Sequence, residues 1–182
     1  GHMQFVISFL LGTASVARAD DTLSIEALLQ ATPQGDVVSG GGAAFELGRL
    51  FISGEGRGLG EGAWTGRATA GLDLLGQSER FDLTLGLFAG MTGGIVPEID
   101  SPSGTWGVEA GLGAHVGHVH ARYRRAMGMS GPLSGMLSED EVRLGLGLGE
   151  EQRLRIFGQA VHFQPGEYAS STAFGGGVSV AF

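Results

Sequence analysis

The stretch Thr172-Ala173-Phe174-Gly175-Gly176-Gly177-Val178-Ser179-Val180-Ala181-Phe182 alternates between two kinds of side chain. One face carries Phe174, Val178, Val180 and Phe182, and the other carries Gly175, Gly177, Ser179 and Ala181. Alternation with a period of two predicts a β-strand whose faces meet different surroundings. Because a strand with an unpaired edge invites aggregation, we expect this one to close a barrel.

The same alternation recurs upstream, from about residue 41 onward. The predicted strands are Ala43–Ser53, Gly62–Leu75, Arg80–Thr92, Thr105–Ala114, His118–Met127, Glu141–Leu148, Gln152–Phe163 and Thr172–Phe182. Their lengths suit the ~9–11 residues that a tilted strand needs to cross a bilayer. A helix is disfavoured, because each glycine in a helix interior costs about 1 kcal/mol.

The predicted connections alternate between short and long. The short ones are Gly76–Glu79, His115–Gly117 and Gly149–Glu151, and the long ones are Gly54–Glu61, Gly93–Gly104, Gly128–Asp140 and Gln164–Ser171. Membrane barrels show this asymmetry between their two ends. The predicted fold is therefore all-β: an eight-stranded antiparallel up-and-down transmembrane β-barrel with short periplasmic turns and longer external loops.

The positions of aromatic residues favour a leucine-rich face that points outward into lipid. The predicted membrane-interface aromatics are Phe51, Trp64, Phe81, Trp106, Phe163, Phe174 and Phe182. Phe81 and Phe182 fall near the end with the short connections and the other five near the end with the long ones. Interfacial girdles are found at these two levels in membrane barrels. The alternative is a soluble exported barrel that turns its leucines inward and binds a hydrophobic ligand there.

Composition excludes several classes of function. The chain has 182 residues, including 35 glycines, no cysteine and a net charge of −8. The negative charge argues against nucleic-acid binding, and the lack of cysteine excludes disulfides and thiolate metal sites. We expect no cofactor.

The N-terminal region has a different character. Residues 1–3 resemble a tag remnant, and residues 4–19 resemble a signal-peptide remnant or form an N-terminal helix. We expect residues 20–40 to be an arm or plug and residues 41–182 to be the barrel. Thr22–Ala31 also alternates well enough to be a ninth strand. Export and an acidic, glycine-rich chain together predict the outer membrane of a Gram-negative bacterium.

Residues 40–182 resemble the small eight-stranded bacterial outer-membrane barrels of the OmpA transmembrane domain, OmpX and OmpW type. Gly177, Val180 and Phe182 also match the Gly-x-x-apolar-x-aromatic spacing of the C-terminal signal that the barrel-assembly machinery recognises, whereas Gly175 departs from it. The resemblance implies the lipid bilayer and that machinery as partners, and a porin-like or structural membrane protein.

Charged residues on the inward face predict a lumen charge network. Its expected members are Glu46, Arg67, Asp73, Glu109, His118, His120, Arg122, Arg124 and Arg143. Buried charges must be paired, so a structural salt-bridge network is expected, with a polar path for a small solute as the alternative. His118 and His120 share a strand face with too few further ligands for a usual zinc site, so no metal site is predicted.

No catalytic motif is recognisable in the sequence. The expected function is a non-enzymatic outer-membrane barrel with a structural, surface-interaction or narrow-pore role. The alternative is an outer-membrane lipid-modifying enzyme that uses His162, with Glu167, Ser170 and Ser171 nearby in sequence. The G-x-S-x-G elbow of the α/β-hydrolases is absent.

Overall fold

A computed structural model describes residues 22–75, 80–96, 102–131 and 135–182. Its regular elements are the strands β1 (Thr22–Ala31), β2 (Val37–Leu47), β3 (Leu50–Gly60), β4 (Ala63–Asp73), β5 (Phe81–Gly93), β6 (Ser103–Val116), β7 (Val119–Ser130), β8 (Leu137–Leu148), β9 (Leu154–Pro165) and β10 (Ser171–Ala181). The described ranges contain no helix with the length and hydrophobicity that crossing a membrane requires.

The ten strands form one closed barrel in which each strand pairs with its neighbours in sequence and β1 pairs with β10. All ten pairings are antiparallel. The all-β antiparallel up-and-down architecture is therefore confirmed. We call the end where β1 begins and β10 finishes the termini end, and the opposite end the loop end.

The predicted count of eight strands is wrong, and one error lies in the segment Ala43–Ser53. That segment contains a hairpin, because β2 ends at Leu47 and β3 begins at Leu50. Gly48 makes the turn with a φ of 61°, a value open to glycine at little cost. This turn explains why Leu47 and Leu50 are out of phase with each other in the predicted strand.

The second error lies in two segments that were not counted as strands. Residues 54–60, predicted as a loop, belong to β3, and Thr22–Ala31 is β1. Residues 22–40 thus form the first strand and the start of the second rather than an arm or plug. The predictions for residues 1–19 lie outside the described residues.

The strict alternation of short and long connections is also corrected. The loop end includes the tight turn at residues 61–62, and the termini end includes the longer connection at residues 74–80. Glu61 and Gly62 both have positive φ, of 51° and 80°, as a two-residue type I′ hairpin turn requires.

Leucines of the alternating segments point away from the barrel axis. Leu83, Leu85 and Leu144 are 37%, 52% and 62% exposed. Ion pairs between strands that are not neighbours occupy the opposite face, so that face is the interior. The soluble alternative, with leucines lining a ligand cavity, does not fit this arrangement.

Candidate functional site

Ion pairs cross the interior of the barrel. Arg57 of β3 contacts Glu139 of β8 through Nη2 and Oε2, 2.6 Å apart. Arg124 of β7 reaches Glu55 of β3 at 2.8 Å. Neither pair of strands is adjacent in the barrel, so these side chains meet across the lumen.

The interior network combines equal numbers of opposite charges. Its ten members are Arg57, Arg67, Arg122, Arg124, Arg143, Glu26, Glu55, Glu109, Glu139 and Glu141. Their formal charges cancel, which limits the cost of holding them away from bulk water. We call these ten residues the interior network.

Two arginines hold the middle of the interior network together. Arg124 contacts Glu141 at 2.6 Å, Glu55 at 2.8 Å and Glu109 at 3.6 Å. Arg67 lies 2.8 Å from Glu55 and 3.0 Å from Glu109. The Arg67 guanidinium also lies 5.4 Å from the ring centre of Phe88 in β5. Each arginine therefore balances several carboxylates at once.

A third arginine connects the far side of the network to the strand that closes the barrel. Arg143 of β8 binds Glu26 of β1 at 2.6 Å and donates to the side-chain oxygen of Gln159 at 2.7 Å. Its guanidinium lies 3.7 Å from the ring centre of Phe157, within cation–π range. Arg122, which is more exposed, donates to Glu141 at 2.6 Å.

Glycines on the inner face give these long side chains their space. A Cβ on Gly40 would lie 2.8 Å from Cβ of Arg57, and a Cβ on Gly90 would lie 2.8 Å from Cβ of Arg67. The interior also holds a cavity of about 20 Å³ beside Glu26 and Arg143, room for roughly one water molecule. Neighbouring side chains thus fill the volume that glycines leave.

An apolar cluster packs beside the interior network, with Ala126 and Phe163 directly opposite Glu139, and extends toward the loop end. Phe88, Ala126, Leu137 and Phe163 form it, with Leu59 and Ile95 packed against them. We call these six residues the apolar plug. Phe163, predicted on the outer face, instead points inward and is 2% exposed.

The prediction for Phe51 is also wrong, both in the face of the strand and in the end of the barrel. It lies in β3 opposite Gly71 of β4, two residues from the turn at the termini end. A Cβ on Gly71 would lie 2.8 Å from the Phe51 ring, so the ring occupies the interior above this glycine. The error followed from treating residues 43–53 as one strand.

The remaining predicted interface aromatics lie on the outer surface. Trp64, Trp106 and Phe174 lie toward the loop end, and Phe81 and Phe182 lie at the termini end. All five are exposed large apolar side chains. They form two outer belts separated by the leucine-rich surface.

Several predicted interior charges lie at the termini end, apart from the interior network. Glu46 is exposed, and Asp73 accepts a hydrogen bond from the backbone N–H of Leu75. His118 Nδ1 lies 3.0 Å from the carbonyl oxygen of Gly147 and His120 Nε2 lies 3.0 Å from Gln152 Oε1. Within the described ranges, no cluster of three or more His, Asp or Glu side chains is placed to hold a metal ion.

Sequence reasoning missed half of the interior network. Glu55 and Arg57 lay in a predicted connection and Glu26 in the predicted arm. Glu139 lay in the predicted connection Gly128–Asp140, and Glu141 was the first residue of the predicted strand after it. The available signal was alternation of charge with glycine, as in Gly54-Glu55-Gly56-Arg57-Gly58. The strand prediction depended on finding an apolar outer face, and a segment whose outer positions are glycine does not show one.

The outer surface also carries a line of polar residues, and it includes His162. Arg125 of β7, Asp140 of β8, His162 of β9 and Thr172 of β10 are each directly opposite the next. We call these four residues the outer polar row. His162 Nδ1 lies 2.9 Å from Thr172 Oγ1. The side chain of Ser171 points inward, to the carbonyl oxygen of Leu59.

No protein-family model and no curated protein matches this sequence. Among solved structures, the chain is similar to two crystal structures of Ail, the attachment invasion locus protein of Yersinia pestis. One, in complex with the heparin analogue sucrose octasulfate, has a TM-score of 0.31 and 10% identity over 89% of this chain and 97% of that chain. The other has a TM-score of 0.28 and 9% identity over the same shares.

The class of this chain is defined by its own strand pairing and side-chain placement. It is a closed ten-stranded antiparallel barrel with an ion-paired interior and an apolar outer surface.

Proposed function

We propose that this chain is a non-enzymatic outer-membrane barrel that acts through its exposed surfaces and does not conduct. The observation that carries the proposal is its inverted polarity, with leucines outside and paired charges inside. Soluble monomers rarely expose apolar patches larger than a few hundred Å². In a membrane the apolar outer surface would contact lipid instead of water, so its exposure would not be unfavourable.

The packed interior favours a structural or surface-interaction role over a narrow pore. The side chains of Arg67 and Glu141 in the interior network are only 8% and 4% exposed. The apolar plug fills the interior beside Glu139 and on toward the loop end. A solute crossing the barrel would have to separate paired charges and displace the plug, which is costly.

The loop end is the surface best placed to meet partners. Its described connections carry the acidic residues Asp36, Glu61 and Glu167, and no arginine lies in any of them. If the termini end faces the periplasm, as in the barrels that the sequence resembles, this acidic rim faces outward. We propose that it sets which external surfaces the barrel contacts.

The enzymatic alternative has weaker support in the geometry. His162 lies on the outer face and the side chain of Ser171 points inward, so these two side chains do not meet. The hydroxyl next to His162 is that of Thr172. Comparing lipid hydrolysis by the wild-type protein and His162→Gln in mixed micelles tests this alternative. Activity that disappears in the variant would support it.

Fractionation and conductance test the proposed function together. We expect the native protein in the outer-membrane fraction, soluble after purification only with detergent, and without stable conductance in planar bilayers. A monodisperse preparation without detergent would contradict the membrane assignment. Reproducible single-channel steps would contradict the closed interior while leaving the membrane assignment in place.

The barrel-assembly machinery is the proposed partner during biogenesis. In support, β10 carries the predicted recognition spacing and pairs with β1 to close the barrel. The backbone N–H of Phe182 also donates to the carbonyl oxygen of Leu23 at 2.8 Å. Recognition of this strand before closure would place its C-terminal aromatic at the point where the last pairing forms.

A further inference from the structure

We propose that the outer polar row binds the phosphate headgroup of a membrane lipid whose acyl chain lies on the barrel surface next to it. The proposal rests on the proposed membrane location. It assigns a ligand to Arg125, Asp140, His162 and Thr172, which have no part in the interior network or in the apolar plug.

The placement of the row is the first argument. Its members lie on four consecutive strands, each directly opposite the next. Adjacent strands lie about 4.8 Å apart, so the row extends over roughly 14 Å of surface, enough for a lipid headgroup. Val142, Ala160 and Phe174, one step toward the termini end on β8 to β10, are apolar. The row therefore marks the loop-end border of the apolar surface there.

The balance of donors and acceptors is the second argument. Tyr123 donates its hydroxyl to Asp140 Oδ1 at 2.6 Å, and Arg125 Nη1 lies 3.5 Å from the same oxygen. Asp140 is thus already engaged by neighbours. A guanidinium offers five N–H donors, and the Arg125 side chain remains 49% exposed.

His162 adds a second exposed polar group. Its Nδ1 lies 2.9 Å from Thr172 Oγ1, and when that hydroxyl donates to Nδ1 the ring proton is on Nε2, which can then donate to a ligand. Arg125 and His162 flank the engaged Asp140, so the free hydrogen-bonding capacity of the row is mainly donor capacity. That capacity is complementary to a ligand with several acceptor oxygens and a negative charge, as a phosphate diester has.

The third argument is the free energy that it costs to place Arg125 on a lipid-facing surface. An arginine on the lipid face of a barrel costs about 2–4 kcal/mol at the bilayer midplane and about 0–1 kcal/mol near the interface. Arg125 lies closer to the middle of its strand than Thr172 does. Asp140, 3.5 Å from Arg125, already compensates part of that charge, and a bound phosphate would add to the compensation where water is scarce.

The surface next to the row is shaped to take an acyl chain. Gly158 of β9 lies between Leu144 of β8 and Gly176 of β10 on one rung of the outer face. The missing side chains leave a shallow trough, and the exposed Leu144 and Phe174 stand beside it. A chain in the trough would run from the headgroup at the row toward the termini end.

Native mass spectrometry of the detergent-purified barrel tests the proposal. The probes are phosphatidylglycerol and a diacylglycerol with the same acyl chains, which lacks the phosphate. We expect the wild-type protein to retain phosphatidylglycerol about tenfold better. The variant Arg125→Gln/His162→Gln should lose this preference, and Arg125→Lys should keep part of it.

Arg153→Gln is the matched control, because it removes an exposed arginine at the termini end. It should keep the wild-type preference. The proposal is overturned if the double variant keeps the preference or if Arg153→Gln loses it equally. Lipid retained without headgroup preference would overturn the site but not the membrane barrel. A barrel that retains neither lipid would count against both.

Discussion

Arg143 and Glu26 form a two-point ion pair across the interior of the barrel. Nη1 of Arg143 lies 2.6 Å from Oε2 of Glu26, and Nη2 lies 3.0 Å from Oε1. The pair joins β8 to β1, across the line where β10 and β1 close the barrel. A planar guanidinium matches a carboxylate in this geometry, which lysine cannot do.

Breaking this pair should destabilise the barrel. Arg143→Gln leaves the Glu26 carboxylate without its partner, and removing one member of a buried pair costs about 3–5 kcal/mol. The double variant Glu26→Gln/Arg143→Gln should recover part of that loss, because neither charge remains. Urea unfolding in lipid vesicles measures both. A single variant as stable as the wild type would contradict the expectation.

Placing a charge on the outer surface should distinguish a lipid environment from water. Leu144→Arg introduces a guanidinium at an exposed position inside β8, and in a bilayer it should cost about 2–4 kcal/mol of unfolding free energy. Val116→Arg at the termini end of β6 should cost about 0–1 kcal/mol, since it lies at the border. Equal, near-zero effects in vesicles would argue against a lipid-facing surface.

Inner-face and outer-face glycines should respond differently to a methyl group. A Cβ on Gly107 would overlap the carbonyl oxygen of Met127, whereas the nearest atom to a Cβ on Gly54 lies 4.0 Å away. Gly107→Ala should therefore lower the free energy of unfolding by about 1–3 kcal/mol. Gly54→Ala should be neutral or stabilising, and urea titration would compare the two.

Shortening side chains of the apolar plug should allow ions to pass through the barrel. Phe163→Ala together with Leu137→Ala shortens two buried side chains of the plug, one directly opposite Glu139 and one nearer the loop end. We expect occasional conductance steps in planar bilayers from this variant and none from the wild type. Trp106→Ala, which shortens an outer aromatic, should remain silent. A silent double variant would place the barrier in the interior network itself.

Phe182 should matter for assembly more than for stability. Its side chain is 67% exposed, so Phe182→Ala should refold into detergent micelles with the efficiency of the wild type. If the assembly machinery recognises this residue, the amount of folded barrel in cells should fall. Phe81→Ala, an exposed aromatic at the same end, is the control. An equal fall in both variants would point to lipid anchoring instead.

Alternation in the sequence was sufficient to predict the architecture and the outward face of most strands. It succeeded in β4, β5 and β6, where leucine, tryptophan and alanine all lie on one face. It failed in the second half of β3, where Gly54, Gly56 and Gly58 follow Leu50 and Ile52 on the outward face and the apolar periodicity stops. Part of a strand in this barrel can thus be defined by its inward charges alone.

Membership of the interior network was only partly predictable. The strand period shows that Arg67 and Glu109 share a face, but their partners depend on which strands lie opposite each other. That relation changes with strand count, and an eight-stranded barrel would place other residues across from Arg124. The missing two strands therefore concealed Glu26 and Glu55 as partners.

The separation of the paired charges along the chain has a consequence for membrane entry. Arg143 and Glu26 are 117 residues apart, Arg57 and Glu139 are 82 apart, and Arg124 and Glu55 are 69 apart. Hairpins that entered hydrocarbon one after another would carry lone guanidinium groups until their distant counterparts arrived. If the barrel lies in a membrane, as we propose, we therefore expect concerted insertion, in which the sheet curls up before any of it is immersed.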